Sequence, residues 1–151
     1  MARTSTLLAA CVAALVVALP AGAKTPPALV VAKVGIEVAK LGIASGAVDQ
    51  ATAKCSSKAC LSKSYTAYFA QARVLDAALE DLWSAAGKSG PCANAAADAG
   101  AGFDALTKDY RAFEAATLAA DKPTATKVYG RIEATVTRLT AVVDSFKTKC
   151  R

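Results

Sequence analysis

Four cysteines, a set of tyrosines and one acidic cluster are the residues of this chain whose types and spacing bear on chemistry. Cys55 and Cys60 are separated by four residues in a Lys/Ser-rich stretch, and Cys92 and Cys150 stand far apart. Redox-active dithiols generally use Cys-x-x-Cys, so the wider Cys55/Cys60 spacing points to a structural bridge. Asp76, Glu80 and Asp81 form the carboxylate cluster. Three carboxylates on a solvated helix face are commonplace, and nothing opposes them across a cleft as glycoside hydrolysis requires. The chain has no histidine, and Met1 is its only methionine. This removes imidazole-based triads, His-containing zinc sites, His- or Met-ligated haem and the Glu-x-x-His di-iron sites of helical bundles. No loop is rich in Asp, Asn and Gly as calcium ligation demands. No catalytic residue, metal ligand or cofactor is therefore expected, and the chain reads as a non-enzyme.

The aromatic residues cluster along the sequence. Tyr65, Tyr68 and Phe69 fall together, as do Tyr110 and Phe113, with Tyr129 following. Such a set either fills a wide part of a core with its hydroxyls reaching the rim, or walls a pocket for an apolar or aromatic ligand. These six are the candidate ligand-binding residues. Which alternative holds depends on the elements that carry them.

The N-terminus sets the compartment. Arg3 is the only charge before Lys24; an apolar run from Leu7 to Leu19 follows it, then Pro20 and Ala21-Gly22-Ala23. A basic start, an apolar stretch of this length and a small-x-small site are the anatomy of a secretory signal peptide. The run falls short of the roughly 20 apolar residues that span a bilayer. Residues 1–23 are thus expected to be cleaved, leaving 24–151 as one domain that is secreted or periplasmic. Leu8-Ala9-Ala10-Cys11 resembles a lipobox, but lipidation at Cys11 would leave almost no apolar stretch before it and a greasy one after. Cleavage after Ala23 removes Cys11 and leaves four cysteines, an even number that in an exported chain reads as two disulfides.

Four helical stripes organise the rest. From Ala28 to Ala53 no proline interrupts; Lys33, Glu37 and Lys40 mark a narrow wet stripe on an otherwise apolar helix. Ala28, Ala32, Gly35, Ala39, Gly42 and Gly46 form a strip of tiny side chains along it. Gly42-x-x-x-Gly46 resembles a membrane dimerisation motif, yet the three charges make a close contact in water the simpler account. The second stripe is Leu61, Tyr65, Tyr68, Ala72, Leu75, Leu79, Leu82 and Ala86, stopped by Gly87, Gly90 and Pro91. The third is Cys92, Ala96, Ala99, Phe103, Leu106, Tyr110 and Phe113, with Gly100 and Gly102 each costing about 1 kcal/mol against alanine. Asp121-Lys122-Pro123 begins the last helix, whose stripe is Ile132, Val136, Leu139, Val143, Phe146 and Cys150.

With no period-two alternation, the expected fold is all-α: an antiparallel up-down-up-down four-helix bundle stapled by two disulfides. This topology places Cys55 and Cys60 in the loop at one end and brings Cys92 and Cys150 together at the other. Helices of this length hold the two ends far beyond the ~7 Å Cα limit for a disulfide. Only Cys55–Cys60 with Cys92–Cys150 is compatible. All six candidate aromatics then fall at the Cys55–Cys60 end, and Trp83 and Phe146 at the other.

In outline this is similar to the plant pectin-methylesterase and invertase inhibitors, secreted four-helix bundles with four cysteines. Their first cysteine pair lies near the mature N-terminus, whereas 31 residues of the expected mature chain, Lys24 to Lys54, precede Cys55 here. The resemblance therefore implies a fold class and no activity. The mature chain carries +4 over Lys24 to Lys63, −4 over Ser64 to Asp121 and +5 over Lys122 to Arg151. Basic first and last helices could meet an anionic lipid or envelope polymer. Nucleic acid is not an expected partner, because the compartment is wrong and no arginine-rich, aromatic-interleaved cluster exists. No transmembrane span is expected in the mature chain. The reading is an exported binding or interaction protein whose partner is a protein, an envelope polymer or a small apolar ligand. The alternative is a carrier for a small apolar or aromatic ligand at the aromatic end.

Overall fold

A computed structural model describes residues 26–150; the expected signal peptide and Cys11 lie outside this range. Four helices follow in order: α1 Pro26–Lys54, α2 Lys58–Ala85, α3 Gly90–Leu118 and α4 Lys122–Lys149. No strand occurs among the described residues. Several helix boundaries have a local cause. Ser57, in extended backbone, caps α2 by accepting from the Cys60 amide, and Asp121 caps α4 by accepting from the Thr124 amide. The α2 terminus closes with the Gly87 amide donating to Ser84 and the Lys88 amide to Trp83, with Gly87 at φ 78°. The α3 terminus repeats this pattern: the Ala120 amide donates to Thr117 and the Asp121 amide to Ala116. There the left-handed position is filled by Ala120, at φ 57°, where glycine is the usual occupant.

Pairings along the helices show that sequence neighbours run antiparallel. Lys33 of α1 meets Asp81 of α2, and Glu37 meets Gln71. Tyr65 and Tyr68 of α2 pack on Phe113 and Tyr110 of α3. Asp109 of α3 meets Arg131 of α4. Consecutive helices pack most closely, α1 on α2 and α3 on α4 above all. The seam between α1 and α4 is the more open one.

Both disulfides form as the topology requires. Cys55–Cys60 joins the α1–α2 turn, and Cys92–Cys150 joins the start of α3 to the end of α4 across a Cα separation of 4.6 Å. The second closes a loop of sequence separation 58, worth about 4 kcal/mol in the chain-entropy treatment.

The core follows the expected stripes, with one departure on α1. Leu61, Tyr65, Tyr68, Leu75, Leu79 and Leu82 of α2 are buried, joined by Ala78, and the α4 stripe is buried throughout. Each large aliphatic there is worth about 1.5–3 kcal/mol. The alanine-rich half of α3 forms a regular helix, with Ala93, Ala95, Ala96 and Ala99 all buried. Gly102 explains why: a Cβ built there would lie 2.5 Å from Leu139 Cδ2, so glycine permits the close approach of α3 and α4. Gly100 has no such constraint, since a Cβ there would meet nothing within 4 Å.

That departure lies in the middle of the wet stripe, whose Lys33 and Lys40 are exposed as expected. Glu37 is buried, held by Lys40 at 2.8 Å and by Gln71 at 2.7 Å. Leu29 and Ile43 are instead 75% and 73% exposed, with Ile36 half-exposed between them. A carboxylate with two strong partners tolerates burial, and α2 supplies one of those partners. Among the described residues, no helix is long and apolar enough to cross a membrane.

Candidate functional site

The six aromatics meet in one cluster at the Cys55–Cys60 end. The Tyr68 and Tyr110 rings lie 4.0 Å apart between centroids, at the centre of the bundle. Phe69 contacts both Tyr65 and Tyr68, and Tyr65 reaches Phe113, which in turn packs on Tyr129. Their roles then diverge. Tyr65, Tyr68 and Tyr110 are enclosed in the core. Phe69 is half-buried in the α2–α3 seam, where the Arg111 guanidinium covers its face at 4.5 Å. Phe113 and Tyr129 line a cleft.

That cleft occupies the α1–α4 seam at the same end, with α3 as its floor. It has a volume of about 530 Å³ and a wall that is almost wholly apolar. Thr52 contributes from α1; Phe113, Ala116 and Thr117 from α3; Ala125 and Tyr129 from α4. Ala120, Asp121 and Lys122 of the α3–α4 connection form its edge. The volume and the apolar wall match those of small-molecule pockets, roughly 300–1,000 Å³.

A set of buried polar groups lies behind the cleft. Ser45 and Tyr110 share a hydrogen bond between their hydroxyls, bridging α1 and α3. Asp49, one turn beyond Ser45, is also buried. The hydroxyls of Tyr65 and Tyr68 are enclosed and make no hydrogen bond. Burial pushes the Tyr65 phenol up to about 12; the nearby Thr117 and Thr52 hydroxyls oppose the shift, and the charges of Glu114 and Asp49 add to it. These two threonines stand beside the phenol; each donates its hydrogen to its own helix and keeps its oxygen lone pairs free to accept. Thr52 Oγ1 donates to the Val48 carbonyl at 2.9 Å, and Thr117 Oγ1 to the Phe113 carbonyl at 2.7 Å. Tyr110 is raised mainly by burial, against the pull of Ser45, and Tyr68 is raised by burial and by Tyr110. Three neutral phenols thus stand in the core, and two of them lack partners.

A second, shallower groove of about 250 Å³ lies between α2 and α3 toward the other end, lined by Asp76, Glu80, Trp83 and Gly100 among others. Asp76 is raised by burial and by its neighbours Asp104 and Glu80. The Lys88 ammonium already covers the Trp83 ring at 5.4 Å. Asp81, the third carboxylate of the cluster, pairs instead with Lys33. Among the described residues, no group of three or more His, Cys, Asp or Glu side chains could hold a metal ion.

The aromatics mark this end of the bundle in the sequence, and the polar residues behind them carry a fainter signal. Ser45, Asp49 and Thr52 recur at four and three residues on the inward face of α1. Polar groups at core spacing were the available signal for a buried polar site. No protein-family model matches this chain, and comparison with curated proteins and with solved structures finds no similar protein. The function therefore has to be argued from the cleft and its surroundings.

Proposed function

We propose that this chain is an exported, non-enzymatic binding protein that carries a small, largely apolar ligand in the cleft between α1, α3 and α4. The observation that carries this reading is an apolar cleft of about 530 Å³ at the aromatic end of a disulfide-stapled bundle. Export is supported by the signal-like N-terminus and by two disulfides, which persist in oxidising compartments. The polar groups around the cleft are hydroxyls suited to orienting a ligand.

Native mass spectrometry of the oxidised protein recovered from its own export compartment tests this directly. A reproducible bound mass is expected, and it should disappear in Thr126→Trp, which places a large ring on the exposed side of the cleft. A bare protein, or an adduct indifferent to that substitution, contradicts the reading.

A second reading rests on the outer face of α1. Leu29, Ile36 and Ile43 are exposed at seven-residue intervals, and Lys33, Lys40 and Lys54 are exposed on the same helix. An apolar line flanked by lysines suits contact with an anionic envelope surface. Leu29→Glu with Ile43→Glu, both on the exposed line, should then abolish surface binding and leave cleft occupancy unchanged.

A further inference from the structure

Leu29, Ile36 and Ile43 stand on the outside of α1 at seven-residue intervals, and Val74 of α2 is the other large apolar side chain so exposed among the described residues. Val74 lies seven residues before Asp81, which meets Lys33 of α1, so it shares the edge of α2 that borders α1. The exposed large hydrophobics are therefore gathered on one face. Such a patch, unlike apolar residues scattered singly, marks an interaction surface.

Small residues complete its shape. Ala32, Ala39 and Gly46, all half-buried, interleave with the large ones at spacings of three and four, the pattern by which one helix seats against another. Against an antiparallel second copy, with the two-fold axis between Glu37 and Val38, every large residue meets a small one. Leu29 faces the copy's Gly46, Ile36 its Ala39 and Ile43 its Ala32, and the symmetry repeats all three contacts. A parallel copy would instead set Leu29 on Leu29 and Ile36 on Ile36, and leave the small layers empty. The face is complementary to itself, as a two-fold interface must be.

Charge and area agree. Lys33 is paired with Asp81 and Lys40 with Glu37 inside the chain, so the border of the line is neutral and has less to offer an anionic surface. In the antiparallel register the copy's Lys40 comes within a turn of the level of Lys33, beside the exposed Asp81 carboxylate. From Leu29 to Gly46 the line is about 27 Å long, and with the α2 edge it is two helices, about 20 Å, wide. Both copies together cover about 1,000 Å², the lower bound for a specific interface.

We propose that the outer face of α1, with Val74, pairs with a second copy of this chain in an antiparallel two-fold dimer. The contact ends at Gly46, short of Thr52 in the cleft, so it is independent of the cleft reading. It takes the face that the envelope reading gives to an anionic surface.

Sedimentation equilibrium of the oxidised protein over a micromolar concentration series tests the proposal. The mass should rise reversibly from monomer to dimer. Ile36→Glu, which sets a carboxylate beside the two-fold axis, should weaken the dimer at least about 100-fold and leave the circular dichroism spectrum unchanged, because Ile36 is exposed. Ile43→Cys mixed with Ala32→Cys should form an interchain disulfide on oxidation. Ile43→Cys alone should not, because the two copies of that position lie about 16 Å apart, beyond the ~7 Å disulfide limit. A dimer indifferent to Ile36→Glu overturns the face, and self-linking of Ile43→Cys overturns the antiparallel pairing. A monomer at every concentration overturns the proposal; if that monomer binds phosphatidylglycerol vesicles and Ile36→Glu does not, the face belongs to an anionic surface instead.

Discussion

Replacing Tyr65 by phenylalanine should make the ligand-free protein more stable. The Tyr65 side chain is fully buried, its ring packs on Phe113 and Phe69, and its hydroxyl is unpaired. Phenylalanine keeps the ring contacts and removes only the oxygen. Enclosing an unsatisfied polar group costs about 1–3 kcal/mol, so most of that cost should be recovered. Tyr110→Phe is the control, because that hydroxyl is bonded to Ser45. Its removal forfeits the bond and strands the Ser45 hydroxyl, a loss of about 1–2 kcal/mol. The two substitutions delete the same atom from neighbouring buried rings, yet should differ by about 2–4 kcal/mol with opposite signs. Urea unfolding of the oxidised proteins, followed by circular dichroism, measures both; midpoints should shift apart with slopes unchanged. A loss of stability in Tyr65→Phe would show instead that the hydroxyl is already bonded within the folded protein.

Three further outcomes follow from the same structure. Gly102→Ala should destabilise by about 1–2 kcal/mol, because its Cβ meets the buried Leu139, whereas Gly100→Ala should stabilise by about 1 kcal/mol from helix propensity; thermal denaturation of the pair checks this. Stability should fall above pH 10: Tyr65, Tyr68 and Tyr110 are all raised in the folded state, so the unfolded chain loses its phenolic protons first. That contribution is intact below the unfolded tyrosine pKa near 10 and is lost as pH rises through about 12 for Tyr65, which tyrosinate absorbance and unfolding at stepped pH would follow. Glu37→Gln should weaken the α1–α2 contact, because Lys40 and Gln71 both bond the ionised carboxylate and hold its pKa down. The wild-type advantage, read by urea unfolding, should be full above the ordinary glutamate value of 4.5 and vanish as pH falls through the lower folded value.

Much of the architecture was legible because burial writes a period into the sequence. The α2 and α4 stripes are read directly from Leu61 to Leu82 and from Ile132 to Cys150, and with the topology known the cysteine pairing follows by distance. The two glycines of α3 were not separable in sequence. Both cost helix propensity, and only the facing Leu139 shows that Gly102 is required while Gly100 is not. On α1, two of the three charges of the wet stripe, Lys33 and Lys40, are exposed as expected; Glu37 goes inward because α2 offers it Gln71. The aromatic residues of the site were visible as a group. Their division into core rings, a surface ring at Phe69 and cleft rings at Phe113 and Tyr129 depends on helix rotation, which the sequence does not specify. The hydroxyls of Ser45, Thr52 and Thr117 escaped notice because a lone polar residue on a helix is common. Their significance comes from converging on the tyrosines from different helices.

Occupancy of the cleft by a small apolar ligand is read by methyl-resolved NMR of the oxidised protein titrated with 1-decanol. Saturable shifts are expected, confined to the methyls of Ala116, Ala120, Ala125 and Thr117, which ring the cleft. Absence of saturable shifts there, or shifts centred on Ala96 and Ala97 in the α2–α3 groove, would contradict it.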